Sequence, residues 1–86
     1  MLVRTRFFAV HRERIGKDRL EIELPSEATV SDLVEDVVRR YPELGIVLRN
    51  ARFAVNREYL PPTTVLKPGD EVAFIPPVAG GGESTW

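Results

Sequence analysis

The sequence predicts an α+β domain with one helix laid over one face of a sheet, and three observations carry that expectation. In "LEIEL", Leu20, Ile22 and Leu24 alternate with Glu21 and Glu23, the period of a half-buried strand. In "TVSDLVEDVVRRY" the period changes: Val30, Leu33, Val34, Val37, Val38 and Tyr41 recur at the i, i+3, i+4, i+7 spacing of one helical face. In "EVAFI" the alternation returns, with Val72 and Phe74 facing one way and Ala73 and Ile75 the other.

The elements can be justified in chain order. In "LVRTRFFAV" a strand places Val3, Thr5, Phe7 and Ala9 on one face and Arg4, Arg6 and Phe8 on the other, so the arginines mark the wet side. The polar "HRERIGKDR" reads as a hairpin loop into the second strand, which Pro25 ends. Thr29 is a suitable N-cap with Asp32 three residues on, and Arg39 and Arg40 close the helix before Pro42. A short helical turn is expected in "ELGIVLRN", then a strand in "ARFAVNREYL" that turns around Asn56 and Arg57. Finally "KPGD" supplies a proline and glycine turn into the last strand. The first two strands suggest an antiparallel hairpin; the order of the others is left open. The expected core holds Val3, Phe7, Leu20, Ile22, Leu24, Leu33, Val37, Val55, Val72 and Phe74.

At 86 residues there is room for one hydrophobic core. Such a domain buries roughly 60% of its unfolded surface, which favours a binding or carrier role over an elaborate catalytic pocket. With 12 basic and 13 acidic residues the net charge is −1, so neither nucleic acid nor an anionic membrane is attracted in general. The absence of cysteine excludes a disulfide framework, a thiolate nucleophile and a sulfur-ligated zinc site. The N-terminal run is interrupted by arginines, carries no small-residue cleavage site, and no stretch approaches a membrane span. These features predict a soluble, cytoplasmic protein.

The segment "KPGDEVAFIPPVAGG" closely resembles the C-terminal end of the small subunit of molybdopterin synthase, the MoaD-type sulfur carriers. "VRTRFFAVHRERIG" resembles that family's opening strand, and "AVN" with its proline-rich turn resembles the middle section, so the similarity runs through nearly the whole chain up to Gly81. The resemblance implies a β-grasp, ubiquitin-like fold with a mixed sheet, here over residues 1–77, followed by a tail at 78–86. It also implies a chemistry. An E1-like (MoeB-like) activating enzyme adenylates the terminal carboxylate with ATP, sulfur displaces AMP, and the resulting thiocarboxylate gives its sulfur to a cyclic pterin precursor held by a large, MoaE-like subunit. The carrier is a consumed and recycled co-substrate with no bound cofactor, and no metal site is expected. The working end would be Gly80 and Gly81, with the thiocarboxylate on Gly81; spacing from "PPVA" favours this pair over Gly81 and Gly82. Glycines let a tail thread narrow channels, and Pro76 and Pro77 stiffen its stem.

Phe8 shares a strand phase with Arg4 and Arg6, and Ile75 shares one with Glu71. Two apolar residues on wet faces predict an exposed docking patch, joined by Tyr59 and continued by Pro76, Pro77 and Val78. His11 reads as a solvated surface residue, and Asp32, Glu35 and Asp36 as helix-end electrostatics rather than metal ligands. Arg12, Arg14, Arg39, Arg40, Arg49, Arg52 and Arg57 read as solubility and local pairing, with those near the docking face able to steer an acidic partner. The sequence departs from the family where "GESTW" continues the chain past Gly81, because an internal amide cannot be adenylated. Sulfur-carrier activity is therefore expected to require removal by a protease; a precursor held inactive and a paralogue that keeps the fold in another role are the alternatives. Two other readings stay open: a sulfur carrier for thiamine, cysteine or tRNA thiolation, and a ubiquitin-like modifier or non-catalytic interaction module.

Overall fold

The computed structural model describes residues 1–8, 13 and 15–75, apart from the side chains of Ile46 and Val47. Its strands are β1 (Leu2–Phe7), β2 (Arg19–Glu23), β3 (Arg52–Val55), β4 (Glu58–Tyr59) and β5 (Glu71–Ile75). Between β2 and β3 lie the helix α1 (Val30–Arg40), a 3-10 turn (Pro42–Leu44) and the short helix α2 (Gly45–Arg49). The five strands form one sheet in the order β2-β1-β5-β3-β4. β1 pairs antiparallel with β2 and parallel with β5, while β5 and β4 each pair antiparallel with β3. This mixed sheet crossed by one main helix is the β-grasp arrangement that the resemblance implied.

The sequence patterns become elements for identifiable reasons. Thr29 Oγ1 accepts from the Asp32 amide at 3.2 Å and Asp32 Oδ2 accepts from the Thr29 amide at 2.9 Å, a complete capping box that starts α1. Val30, Leu33, Val34 and Val37 bury the apolar stripe of that helix. Asn56 and Arg57, both at positive φ (51° and 71°), close β3 onto β4 in a two-residue loop of type I′. In the turn before β5, Pro68 is followed by Gly69 at φ 83°, and the Asp70 amide returns to the Lys67 carbonyl at 3.1 Å. Asn56 ties these two turns together, donating to Asp70 Oδ1 and accepting from the Glu71 amide, each at 3.0 Å.

The core lies between the sheet and α1. Val3, Phe7, Ile22, Leu24, Leu33, Val37, Val55, Val72 and Phe74 are buried there as expected. Leu20 is the exception, only half-buried: it stands near the loop end of the edge strand β2, whereas Ile22 further along the same strand is fully buried. At the centre the Phe74 ring meets Phe7 at 5.4 Å and Phe53 edge-on at 5.7 Å between centroids. The first two strands do pair as the expected hairpin; within "HRERIGKDR", His11, Arg12 and Arg14 lie outside the described residues, Glu13 and Ile15 are helical, and Arg19 already belongs to β2.

Replacing Leu33 or Phe74 with alanine should cost about 2–5 kcal/mol in denaturant unfolding. Unchanged unfolding midpoints would contradict the burial of these side chains. Arg57→Gly should act in the opposite direction. A left-handed conformation costs a non-glycine residue about 1–2 kcal/mol, and glycine's greater freedom in the unfolded chain returns about 0.4–1 of that. A net gain of up to about 1 kcal/mol is expected, measured as a higher urea midpoint at unchanged slope.

Candidate docking face and the strand that leads to the tail

One face of the sheet is covered by α1 and the other is open. The strand registers place Arg19 and Glu21 of β2, Arg4 and Arg6 of β1, Glu71, Ala73 and Ile75 of β5, and Arg52 and Ala54 of β3 on the open face. Tyr59 of β4 joins them opposite Ala54. Along one row of this face Arg6 is followed by Ala73, Ala54 and Tyr59, so two alanines floor the space between Arg6 and Tyr59.

Ala54, Ala73 and Ile75 form a second, small apolar cluster on this side of the sheet, with Phe8 packed against it. The expectation that Ile75 is exposed is thereby corrected: only 3% of it is accessible. Its strand phase is the expected one, but Phe8 and the floor of the open face cover it. Phe8 is half-buried, with the Arg6 guanidinium 5.1 Å from its ring centre. Tyr59 is 49% exposed at the far corner, with Arg52 6.0 Å from its ring. The three predicted docking residues in the described part of the chain therefore share one face, though not one degree of exposure. Pro76, Pro77, Val78, Gly80 and Gly81 lie outside the described residues.

β5 is bonded on both flanks, to β1 and to β3, and its last residue Ile75 is paired with Arg52. The last described residue, Ile75, thus ends an interior strand beside Phe8. Of the acids assigned to helix-end electrostatics, Asp32 lies in the first turn and completes the capping box, whereas Asp36 and Glu35 are engaged in ion pairs. Asp36 pairs with Arg39 at 2.9 Å and Arg40 at 3.4 Å, and Glu35 with Arg49 at 3.2 Å. Among the described residues no group of acids, histidines or cysteines could hold a metal ion, and no helix is long and apolar enough to cross a membrane. Sequence reasoning missed the Ala54 and Ala73 floor. Its signal was available only as two small residues in otherwise apolar strands.

The ThiS family model matches residues 5–81, ending on the second glycine of the Gly80–Gly81 pair. The chain belongs to the ThiS family. Among relatives of this ThiS-family chain is a molybdopterin synthase sulfur carrier subunit of Chlamydomonas reinhardtii, 39% identical over 94% of this chain and 100% of the relative. The fold is similar to a putative molybdopterin converting factor subunit 1 from Pyrococcus furiosus, with TM-score 0.83 and 34% identity over 91% and 99% of the two chains. Small archaeal modifier protein SAMP1 of Haloferax volcanii is similar at TM-score 0.83 and 26% identity, covering 94% and 100%. A complex of subunits 1 and 2 of the molybdopterin-converting factor from Helicobacter pylori contains a chain similar at TM-score 0.68 and 27% identity, again over 94% and 100%.

Two substitutions separate burial from phase on the open face. Ile75→Asp should lower the unfolding midpoint sharply, because an unpaired carboxylate would replace a buried apolar side chain. Tyr59→Asp should leave it within about 0.5 kcal/mol of wild type, as for exposed positions. Equal effects in thermal or urea unfolding would contradict the assigned exposures.

Proposed function

We propose that the chain is a sulfur carrier for molybdopterin synthesis, with the Gly81 carboxylate as the atom group that is charged. The observation that carries this reading is the family match that runs through the sheet and stops at Gly81, in a chain whose relatives include a molybdopterin synthase sulfur carrier subunit. In the proposed cycle, a Gly81 carboxylate oxygen attacks the α-phosphate of ATP and pyrophosphate leaves. A sulfur nucleophile then attacks the acyl carbon and AMP leaves, so one oxygen is exchanged for sulfur. The adenylating enzyme supplies the ATP site, and the carrier itself holds no cofactor.

The partners in this reading are a large catalytic subunit and an E1-like activating enzyme, both working in the cytoplasm. The Helicobacter complex supports the first of these, since it joins a similar chain to a second subunit. The open face, with Tyr59 exposed and Phe8 half-exposed over an alanine floor, is the surface on which we place docking, while Ile75 supports Phe8 from beneath. Pro76, Pro77 and Val78 would then lead Gly80 and Gly81 into a partner's channel. In the sequence Gly81 is joined to Gly82, so a protease must first remove the "GESTW" segment. A second reading, a ubiquitin-like protein modifier, is favoured by the likeness to an archaeal modifier protein and would use the same charged end against a lysine amine.

The test compares the 86-residue chain with a version ending at Gly81, each given the activating enzyme, ATP and a sulfur donor. Only the shorter chain should acquire a thiocarboxylate, seen as the mass change of an oxygen-to-sulfur exchange. Charging of the longer chain without shortening would end the processing idea. If the charged chain appears on target lysines and never yields sulfur to the large subunit, the modifier reading replaces the carrier.

A further inference from the structure

The open face carries one electrostatic misfit. In the β1–β2 ladder the Phe7 amide donates to the Asp18 carbonyl and the Leu24 amide to the Met1 carbonyl, at 3.0 and 2.8 Å. By alternation, Leu2–Glu23, Arg4–Glu21 and Arg6–Arg19 are the non-hydrogen-bonded pairs, in which facing side chains stand closest. Arg4 is well placed, with Glu21 in register on one side and Glu71 on the other. Arg6 and Arg19 instead oppose each other, and like charges directly across a ladder are destabilising. Arg6 reaches Glu71 only at 3.9 Å. No acid among the described residues pairs with Arg19, which lies on an edge strand with no further strand to offer one.

Both guanidinium groups line an open groove of about 360 Å³, together with Arg4, Leu20, Glu21 and Glu71. That volume admits a carboxylate side chain, and Arg6, which lies over the Phe8 ring, borders both the groove and the Phe8 cluster. We propose that Arg6 and Arg19 form a clamp for a glutamate or aspartate side chain of the large subunit that docks on this face. Charge complementarity selects the occupant: a carboxylate between two guanidinium groups turns a repulsive pair into two charge-assisted hydrogen-bonding partners. The assignment of the partner rests on the sulfur-carrier reading; the carboxylate clamp itself does not.

The repulsion gives the clamp a signature that a merely structural pair would lack. Arg19→Glu creates an attractive pair with Arg6, so the isolated protein should melt about 2–5 °C higher. The same variant should bind the large subunit at least about tenfold more weakly, and raising the salt concentration should weaken wild type more than the variant. A variant that is more stable and binds as tightly as wild type overturns the clamp. Arg6→Glu should weaken binding likewise but without the gain in melting temperature, because it also gives up the contacts of Arg6 with Glu71 and the Phe8 ring.

A tetraglutamate peptide supplies the test that does not depend on the partner. In titrations followed by NMR, the Arg6 and Arg19 Nε–H signals of wild type should shift together and saturate, and Arg19→Glu should abolish the Arg6 shift. Absence of any shift in wild type overturns the clamp. If the peptide binds as expected while wild type fails to bind the large subunit at all, the carboxylate site stands and the sulfur-carrier reading of its partner falls.

Discussion

The structure depends on the parallel pairing of β1 with β5. These two strands come from opposite ends of the described chain, and only when they are side by side do Phe7 and Phe74 meet at 5.4 Å to close the core under α1. β2 is attached through β1, and β3 with β4 through β5, so both halves of the sheet hang on that one seam. A contact so distant in sequence must overcome the loop-closure entropy of nearly the entire domain before it contributes anything. The local devices reduce that burden. A capping box fixes the start of α1, a type I′ loop pre-pairs β3 with β4, and Asn56 bonds the tip of that hairpin to the turn that opens β5.

The features legible in the sequence are those that repeat locally. The alternation of Leu20, Ile22 and Leu24, the stripe from Val30 to Val38, and the turn at Asn56 and Arg57 each record a period or a backbone constraint within a few residues. The order of strands is not legible there, because it is set by which distant apolar faces complete a common core. The burial of Ile75 escapes the sequence for the same reason. Its phase with Glu71 correctly places it on the face away from α1, but phase says nothing about cover, and Ala54, Ala73 and Phe8 supply that cover from three parts of the sheet. Leu20 errs the other way, since its period is that of the buried Ile22 while its place is near the loop end of an edge strand. The apposition of Arg6 and Arg19 needs the β1–β2 register, which a shift of one residue would dissolve.

The two sides of the sheet divide the labour. Large aliphatic and aromatic side chains face α1 and supply the stability that a domain of this size can accumulate. The other side keeps small residues in the middle, a half-buried Phe8 and an exposed Tyr59 at its corners, and charges around them. That composition is apolar enough to gain from contact, yet polar enough at its margin to remain in water.

The interior position of β5 also has a mechanical side. A force applied at Ile75 along the strand axis pulls β5 lengthwise. Because β5 is held on one flank by β1 and on the other by β3, such a pull loads two rows of hydrogen bonds in shear, all at once, instead of opening them one after another from an end. Had the force acted on an edge strand such as β4, the same tension could peel the sheet apart. Loaded from the middle of the sheet, the domain behind Ile75 serves as a fixed handle.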